Sequence, residues 1–239
     1  MRLISLSVFI LPLFLVLQSG QGNAATISGR MLMKNGLPLS GGVAVAFDLQ
    51  SDVIPAPGKY FRVPDFIAEI QNDGNFSLDM PPGEYAIGGV KRTDGRAGPP
   101  RDGDVFFLLK DEKQNLKHFI VTKEESMKLG DLAEGEVFRQ FSDPVELLTG
   151  ITGRVLDRQG KPVSDVIVAA VFEKQSEKTN IFIAHETDSN GVFFLPLPSG
   201  GKYSLGVWDS GGPQSASKLF RKSLQVETGV ILQGIDLIH

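Results

Sequence analysis

Ile27-Ser-Gly-Arg30 and Ile151-Thr-Gly-Arg154 are two copies of one tetrapeptide, and the sequence that follows each copy repeats as well. Recurrence at a constant offset indicates a duplicated structural unit rather than one continuous domain. At the same offset, two further pairs match: Gly36-Leu-Pro38-Leu-Ser40 with Gly160-Lys-Pro162-Val-Ser164, and Val43-Ala-Val45-Ala-Phe47 with Ile167-Val-Ala169-Ala-Val171.

The repeat then continues at a smaller offset. The later matches are Asp73-Gly74-Asn75-Phe76 with Asn190-Gly191-Val192-Phe193, Pro82-Gly83-Glu84-Tyr85 with Gly200-Gly201-Lys202-Tyr203, and Gly130-Asp131-Leu132 with Gly234-Ile-Asp236-Leu237. The offset has fallen from 124 to 118 at Tyr85 and Tyr203, so the first copy has extra residues before this point, which we place at Ser51–Phe61. The predicted division is a signal peptide at residues 1–25, a first unit at 26–132, a linker at 133–149 and a second unit at 150–239.

Within each copy, apolar residues alternate with small or polar ones, as in Val43-Ala-Val45-Ala-Phe47 and Phe76-Ser-Leu78-Asp-Met80. This period of two predicts half-buried strands, and Asn35-Gly36 and Asp73-Gly74 between them are strong turn signals. No stretch has a convincing amphipathic helix pattern, and the nearest candidate is Lys123–Leu129. The predicted fold class is all-β, with two tandem β-sandwich domains.

Aromatic residues at matching positions have structural explanations. Phe76 and Phe193 follow a turn by two residues and are expected to point inward as core anchors. Tyr85 and Tyr203 start the next strand, where their hydroxyls are expected to bind loop backbone. We therefore interpret these repeated aromatics as determinants of shape.

Together these motifs resemble the carboxypeptidase regulatory-like domain. The second copy carries the motif as Gly153-Arg-Val155, Gly160-Lys-Pro162-Val-Ser164, Asn190-Gly191-Val-Phe193 and Tyr203-Ser-Leu205, and the first copy as Asp73-Gly74-Asn-Phe76 and Pro81-Pro-Gly83-Glu-Tyr85. The resemblance covers nearly all of the chain after residue 25 and implies a transthyretin-like (prealbumin-like) Greek-key β-sandwich in each copy. The resemblance also implies an accessory module without catalytic residues of its own, as is usual for that family.

Residues 1–25 have the three parts of a secretory signal. Arg2 is a positive start, Leu3–Leu17 is apolar apart from Ser5, Ser7 and Pro12, and small residues end the segment at Ala24 and Ala25. Cleavage after Ala24 or Ala25 would suit signal peptidase. The alternative is an uncleaved anchor, but the apolar run is shorter than the ~20 residues that span a bilayer. We expect an exported protein, periplasmic or extracellular, with no transmembrane span in the mature chain.

Composition excludes several classes of protein. The chain has 239 residues, a net charge of −4 and no basic run, which argues against nucleic acid as a partner. A hydrophobic content of 41% suffices for a packed core. With 0 cysteines there are no disulfides, thiolate zinc sites or cysteine nucleophiles, and an exported protein of this kind suggests a bacterial source.

No catalytic or metal motif is present. The three histidines, His118, His185 and His239, have no metal-ligand spacing, and we expect His118 and His185 to be solvated. A Gly-x-Ser-x-Gly elbow is missing. Oxygen ligands at Asp73-Gly-Asn75 and Asp188-Ser-Asn190-Gly191 would suit calcium, although Asx turns explain them equally. We expect no catalytic residues, no metal and no cofactor, and a hydrolase is the least favoured function.

Trp208 distinguishes the second copy from the first, which has Val90 at the equivalent position. Strand alternation places Tyr203, Leu205 and Val207 inward, so Trp208 is expected on the opposite face. A solvent-facing indole would stack on a sugar ring, with Asp209 and the Gly211–Ser217 loop as its polar rim. Alternatively, Trp208 packs against the linker or the first copy.

The corresponding loop of the first copy, Lys91–Asp104, is longer and charged. Long polar loops on rigid sandwiches often carry binding residues. Arg92, Arg96 and Arg101 would hold a carboxylate or phosphate ligand. Alternatively, these arginines pair with acids of their own loop, which are Asp94, Asp102 and Asp104.

The function expected from sequence is therefore a non-catalytic, exported binding or scaffolding module of the bacterial envelope. Its partner would be an envelope protein or a glycan, bound through the loops at the sandwich ends. The alternative is a purely structural spacer or assembly subunit whose strand edges pair with a partner.

Overall fold

The computed structural model describes residues 24–51, 53–56, 58–96, 98–123, 126–139, 148–173, 179–209 and 220–239, without the side chains of residues 209, 220 and 221. Every helix or strand element in these ranges is a β-strand, which confirms the all-β prediction. The predicted signal peptide, except for its last two residues, lies outside the described residues.

The described residues of the first unit form eight strands: β1 Ala25–Met33, β2 Val43–Asp48, β3 Phe66–Glu69, β4 Asn75–Met80, β5 Gly83–Lys91, β6 Val105–Leu108, β7 Phe119–Val121 and β8 Met127–Gly135. Those of the second unit form seven: β9 Thr149–Leu156, β10 Val166–Phe172, β11 Ile181–Glu186, β12 Val192–Leu197, β13 Gly201–Asp209, β14 Phe220–Val226 and β15 Ile231–Ile238. Strand β8 covers the end of Lys123–Leu129, where the sequence came closest to a helix.

Both units have the same strand order. The first unit has a three-stranded sheet β4-β1-β8 and a second sheet β3-β2-β5-β6, in which β7 also pairs with β5. The second unit has the sheets β12-β9-β15 and β11-β10-β13-β14. In each three-stranded sheet the last strand of the unit runs parallel to the first. The duplicated sequence pattern therefore corresponds to a duplicated strand topology.

Each unit has its own apolar core between its sheets. Phe76 and Phe193 are buried in these cores, as the sequence predicted. Tyr85 and Tyr203 are also buried, and their hydroxyls donate to the carbonyl oxygens of Pro81 and Ser199 at 3.0 and 2.9 Å. The predicted bond from tyrosine to loop backbone is thus present in both units.

The glycine of the repeated tetrapeptide is required by the parallel neighbouring strand. A Cβ on Gly153 would lie 1.8 Å from the carbonyl oxygen of Ile235, far inside van der Waals contact. A Cβ on Gly29 would lie 3.0 Å from the carbonyl oxygen of Gly130. The close approach occurs where the pairing of β1 with β8, and of β9 with β15, shifts register at a bulge.

The arginine of the tetrapeptide forms the same ion pair in both units. Arg30 lies 3.3 Å from Asp131, and Arg154 lies 3.5 Å from Asp236. Both pairs are solvent-exposed, so each contributes little to stability. In the repeated tetrapeptide, the glycine therefore allows the parallel strand to approach, and the arginine adds an ion pair on the outer face of the sheet.

Candidate functional site: the contact between the two units

The extra residues predicted for the first unit lie in its connection between β2 and β3. The connection from β2 to β3 spans residues 49–65, whereas the equivalent connection from β10 to β11 spans residues 173–180. We call residues 51–63 the strap, because this segment leaves the first unit and contacts the second. The prediction placed these extra residues at Ser51–Phe61, within the connection that is longer.

The strap adds backbone hydrogen bonds to the edge of the second unit's larger sheet. The Val63 N–H donates to the Ile181 carbonyl oxygen at 2.8 Å, and the Ile183 N–H donates to the Phe61 carbonyl oxygen at 3.0 Å. This antiparallel pairing extends the sheet beyond β11 and covers the otherwise open edge of that strand.

Side chains of the strap enter the core of the second unit. Val53 and Tyr60 are buried in the same apolar cluster as Phe182, and the rings of Tyr60 and Phe182 lie edge to face at 5.8 Å. The Tyr60 hydroxyl donates to the carbonyl oxygen of Ile54 within the strap. The core of the second unit is therefore completed by residues of the first.

Arg62 holds the strap on the first unit. Its buried guanidinium lies 2.6 Å from the Asp65 carboxylate, donates to the carbonyl oxygens of Asp48 and Val53 at 3.2 and 3.3 Å, and lies over the Phe47 ring. Burial lowers the pKa of Arg62, an effect that Asp65 and Asp48 oppose by stabilising its charge. Arg62 thus anchors the strap to the first unit, next to the residue, Val63, that pairs with β11 of the second.

The loop Lys91–Asp104 is organised around one buried carboxylate. Asp104 accepts hydrogen bonds from the Thr93 N–H and hydroxyl at 2.8 and 2.9 Å, and from the Arg101 N–H at 2.8 Å. Burial alone would raise the pKa of Asp104, but these donors and the Arg92 charge hold that pKa below its usual range. Asp104 therefore fixes the two ends of the loop, at Thr93 and Arg101, relative to each other.

Two arginines of this loop meet a carboxylate of the second unit. Arg92 lies 3.1 Å from Glu186 and 2.7 Å from Asp94, with Asp104 at 3.7 Å. Arg101 lies 2.5 Å from Glu186 and 3.6 Å from Asp94. We call these five residues the charge cluster. Because the Glu186 side chain is only 2% exposed, this carboxylate depends on the two arginines for its stabilisation.

Glu186 is stabilised in its ionised form. Burial raises the pKa of its carboxyl group, but its own backbone N–H, Arg101 and Arg92 outweigh burial, and the pKa lies below its usual range. The contact between the units therefore includes an ionised, buried carboxylate at neutral pH.

His185 lies beside the charge cluster in an aromatic contact between the units. Its ring lies 5.2 Å from that of Phe61 in the strap, and Phe61 in turn lies 6.3 Å from Phe138 at the start of the linker. The expectation of a solvated His185 is wrong, because both ring nitrogens are buried here, and burial lowers the pKa of the imidazole. His118 is exposed as expected and pairs with Glu84 at 2.6 Å.

Trp208 lies on the predicted face of the sheet, and of the two interpretations that the sequence left open, the solvent-facing one is wrong. Its side chain is 4% exposed and packs with Ile167 and Ala169 on the face opposite the core. Val63 of the strap covers this cluster, and the loop reaches Ile167 at Gly98, whose Cβ position is 3.5 Å away. The alternative from sequence, packing against the first copy, describes the observed surroundings of Trp208.

The remaining predicted binding residues fall into two groups. Arg96 lies 3.3 Å from Asp165 of the second unit, in an exposed pair. Thus Arg92, Arg96 and Arg101 each pair with acids, as the alternative from sequence stated, but Glu186 and Asp165 belong to the other unit. The Asp209 side chain and the Gly211–Ser217 loop lie outside the described residues.

Sequence reasoning missed Glu186, and the reason is a bulge. Simple alternation along β11 places Glu186 on the same face as the buried Phe182 and Ala184. The register of β11 against β10 shifts before Glu186, which then pairs with Ile167 on the face of Trp208. No sequence signal marks this bulge.

The two aspartate turns considered for calcium are Asx turns. Asp73 accepts from the Asn75 N–H at 3.0 Å, and Asp188 accepts from the N–H groups of Asn190 and Val192 at 2.9 and 2.8 Å. Among the described residues, no group of three or more His, Cys, Asp or Glu side chains is placed to hold a metal ion. The part of the chain described here also has no helix long and apolar enough to cross a membrane.

Comparison with known proteins gives remote structural matches only. No protein-family model matches the chain, and no curated protein matches it. The TIE protein of Bacillus anthracis matches 90% of this chain at 14% identity and a TM-score of 0.27, and the chain spans 34% of its length. The minor pilin GBS52 of Streptococcus agalactiae matches 90% of this chain and 94% of its own, at 12% identity and a TM-score of 0.27. BcpA, the major pilin subunit of Bacillus cereus, matches 90% of this chain and 99% of its own, at 9% identity and a TM-score of 0.27. At TM-scores this low, the matches define neither a shared topology nor a shared function.

Proposed function

We propose that this chain is a non-catalytic, exported structural module of the bacterial envelope whose two units are held in one fixed relation. The observation that carries the proposal is the pairing of Arg92 and Arg101 of the first unit with Glu186 of the second. The sequence analysis expected the loop Lys91–Asp104 to bind a ligand. Its arginines instead join the two units.

Three independent contacts support a fixed relation. The strap pairs its backbone with β11, its Tyr60 ring enters the second core, and the charge cluster joins the loop to Glu186. Two domains joined only by a linker move relative to each other by default. A contact that combines backbone pairing, apolar burial and a buried ion cluster resists such motion, because any rotation breaks all three at once.

The same contact argues against the loop-end glycan site. Trp208 is buried in the cluster against which Val63 packs, so a sugar ring has no access to the indole face in this arrangement. Arg92 is buried among carboxylates, and Arg96 and Arg101 are paired with acids. Of the functions expected from sequence, the structural spacer or assembly subunit therefore becomes the leading one, and glycan binding at these loops becomes the lesser one.

Export and the accessory role rest on sequence. The leader at residues 1–25 supports export, and the resemblance to the carboxypeptidase regulatory-like domain supports a module without catalytic residues. The division into units at 26–132 and 150–239 with a linker at 133–149 is part of the same proposal. Strand β8 continues past residue 132 to Gly135, so part of the linker belongs to the first unit's sheet.

Two measurements on the mature chain test this function. Small-angle X-ray scattering at low concentration should fit one arrangement of the two units, and a curve that requires an ensemble of arrangements would contradict the proposal. A glycan array should give no binding that depends on the loop arginines. Binding that disappears in Arg96→Ala and Arg101→Ala, but persists in an exposed control such as Lys161→Ala, would restore the loop-end site.

A further inference from the structure

The outer face of the sheet β12-β9-β15 exposes four apolar side chains, which we call the apolar face. They are Val192 (41% exposed), Phe194 (39%), Ile231 (38%) and Ile238 (54%). They point outward because strand alternation buries their neighbours, such as Phe193 and Leu237, in the core. Contiguous apolar surface on one sheet face marks an interaction surface more often than single exposed residues do.

The register of the sheet places an ion pair between these apolar groups. Val192 pairs with Arg154 on β9, and Arg154 pairs with Asp236 on β15. The side chains of Arg154 and Asp236 lie 3.5 Å apart and are both about half exposed. In this row the face therefore has apolar Val192 on β12, the cation of Arg154 on the central strand β9 and the anion of Asp236 on β15.

Phe194 covers part of the central strand. A Cβ on Gly150 would lie 2.9 Å from the Phe194 ring, so the absence of a side chain at Gly150 allows the ring to approach the strand. Gly150 pairs with Ile231 on the other side. At Gly150 the central strand therefore has no side chain on this face, and the apolar side chains of Phe194 and Ile231 lie on either side of it. Such a surface suits packing against another flat sheet.

The first unit provides an internal comparison. On the same face of its sheet β4-β1-β8, the exposed residues of β4 are Asn75, Ser77 and Asp79, and the Thr26 hydroxyl donates to Asp79 at 2.7 Å. Both units have the same topology, so the fold itself does not require apolar residues on this face. The apolar residues of the second unit therefore call for a separate explanation.

We propose that the apolar face binds the same face of a second copy of this chain. In a two-fold arrangement, Val192 and Phe194 of one copy would pack on Ile231 and Ile238 of the other. The central strands of the two copies would then lie over each other, and Arg154 of each copy would reach sideways by one strand spacing to Asp236 on β15 of its partner copy, so the pattern of charge is complementary to itself. Two packed sheets of this kind lie about 10 Å apart with interdigitated side chains.

The proposal rests on the structural role proposed above and names the partner of that module. Three strands at about 4.8 Å spacing give a narrow face, at the low end of the sizes of specific interfaces. We therefore expect weak, concentration-dependent dimerisation rather than an obligate dimer.

Sedimentation velocity over a concentration series tests the dimer. The variant Val192→Asn with Phe194→Ser carries the residues that the first unit has at the same positions, so the fold tolerates them. It should raise the dissociation constant about tenfold or more. The matched control, Ile67→Asn with Ile120→Ser, changes two exposed isoleucines of the first unit and should leave dimerisation unchanged.

Charge exchange tests the two-fold geometry. Arg154→Asp and Asp236→Arg should each weaken self-association, because like charges would then meet across the axis. A mixture of the two variants should restore dimers, since every cross-axis pair would again be opposite in charge.

A parent chain that is monomeric at all soluble concentrations, a dimer unaffected by Val192→Asn with Phe194→Ser, or no recovery in the mixture would overturn the proposal. Stable binding of this face to a different protein or to lipid vesicles, with the parent monomeric, would also overturn it. These outcomes are separate from scattering by dilute monomers, which tests the fixed relation of the units within one chain.

Discussion

At the scale of single residues, Gly153 has the least room of the repeated glycines. Gly153→Ala would place a methyl group against the Ile235 carbonyl oxygen, 1.8 Å from the ideal Cβ position, so β9 and β15 would have to separate. We expect a loss of ~2–3 kcal/mol in the free energy of unfolding, as for other overpacked sites. Urea denaturation measures it, and Gly58→Ala, with open space around its Cβ position, is the control. Equal effects of the two substitutions would show that the contact at Gly153 is unimportant.

The buried hydroxyl of Tyr85 should make the free energy of unfolding depend on pH in the alkaline range. Burial, with the charges of Asp48 and Asp65, raises the pKa of its hydroxyl to about 12. An unfolded tyrosine has a pKa of about 10, so the stabilisation is complete below pH ~10 and is lost as the pH rises toward ~12. The parent should therefore lose ~1–2 kcal/mol more than Tyr85→Phe across this range.

Below pH ~10, Tyr85→Phe should differ from the parent by a constant ~1 kcal/mol, the value of the lost hydrogen bond to Pro81. Urea denaturation at a series of pH values measures both effects. A parent and a variant with parallel pH dependence would show that Tyr85 does not titrate abnormally.

At the scale of elements, the strap is the part of the first unit on which the second depends. Tyr60→Ala would leave a cavity beside Phe182 and should lower the stability of the second unit by ~3 kcal/mol. Hydrogen exchange should show it at the Ile183 amide, which donates to Phe61 in the strap and should exchange faster. Ile54→Ala, at an exposed strap residue, is the control and should change little. Unchanged protection of Ile183 in Tyr60→Ala would mean that the second unit is complete without the strap.

Strands, turns and core aromatics were predictable from sequence because each occurs twice. A residue type that recurs at the same place in both copies has one structural explanation for both. This holds for Phe76 with Phe193 and for Tyr85 with Tyr203. The strap has no counterpart in the second unit, so the repeat located its extra residues but gave no information on what they contact.

The candidate site was predictable only in part. Alternation placed Trp208 on the correct face, and the acidic loop residues indicated paired arginines. The sequence left open whether Trp208 is exposed, because a strand pattern shows which face a residue occupies and not what covers that face. Glu186 was missed because a bulge changes which face of β11 it occupies, where the arginines of the loop then meet it. The burial of His185 was missed because Phe61 of the strap packs against its ring.

At the scale of the whole molecule, the charge cluster should make the contact between the units sensitive to acid. The pKa of Glu186 is lowered, so its contribution is present above pH ~4.3, its unfolded pKa, and is lost as the pH falls below that value. Glu186→Gln should cost ~2 kcal/mol at neutral pH and flatten the loss of stability in acid.

The control for Glu186→Gln is Asp165→Asn, which removes the exposed pair with Arg96 and should cost less than ~0.5 kcal/mol. Thermal unfolding, measured about once per pH unit between pH ~3 and ~7, compares how the stability of the two variants depends on pH. If Glu186→Gln and Asp165→Asn lowered stability equally, the buried ion pairs of Glu186 would contribute no more than an exposed pair.

The central claim is that the strap and the charge cluster hold the two units in one relation, and electron paramagnetic resonance measures this most directly. The chain has 0 cysteines, so Ser77→Cys and Gln159→Cys place one spin label on an exposed position of each unit without removing any native thiol. We expect one narrow distance distribution, which should broaden when Tyr60→Ala and Glu186→Ala are added. A broad distribution in the labelled parent, equal to that of the variant, would contradict the claim.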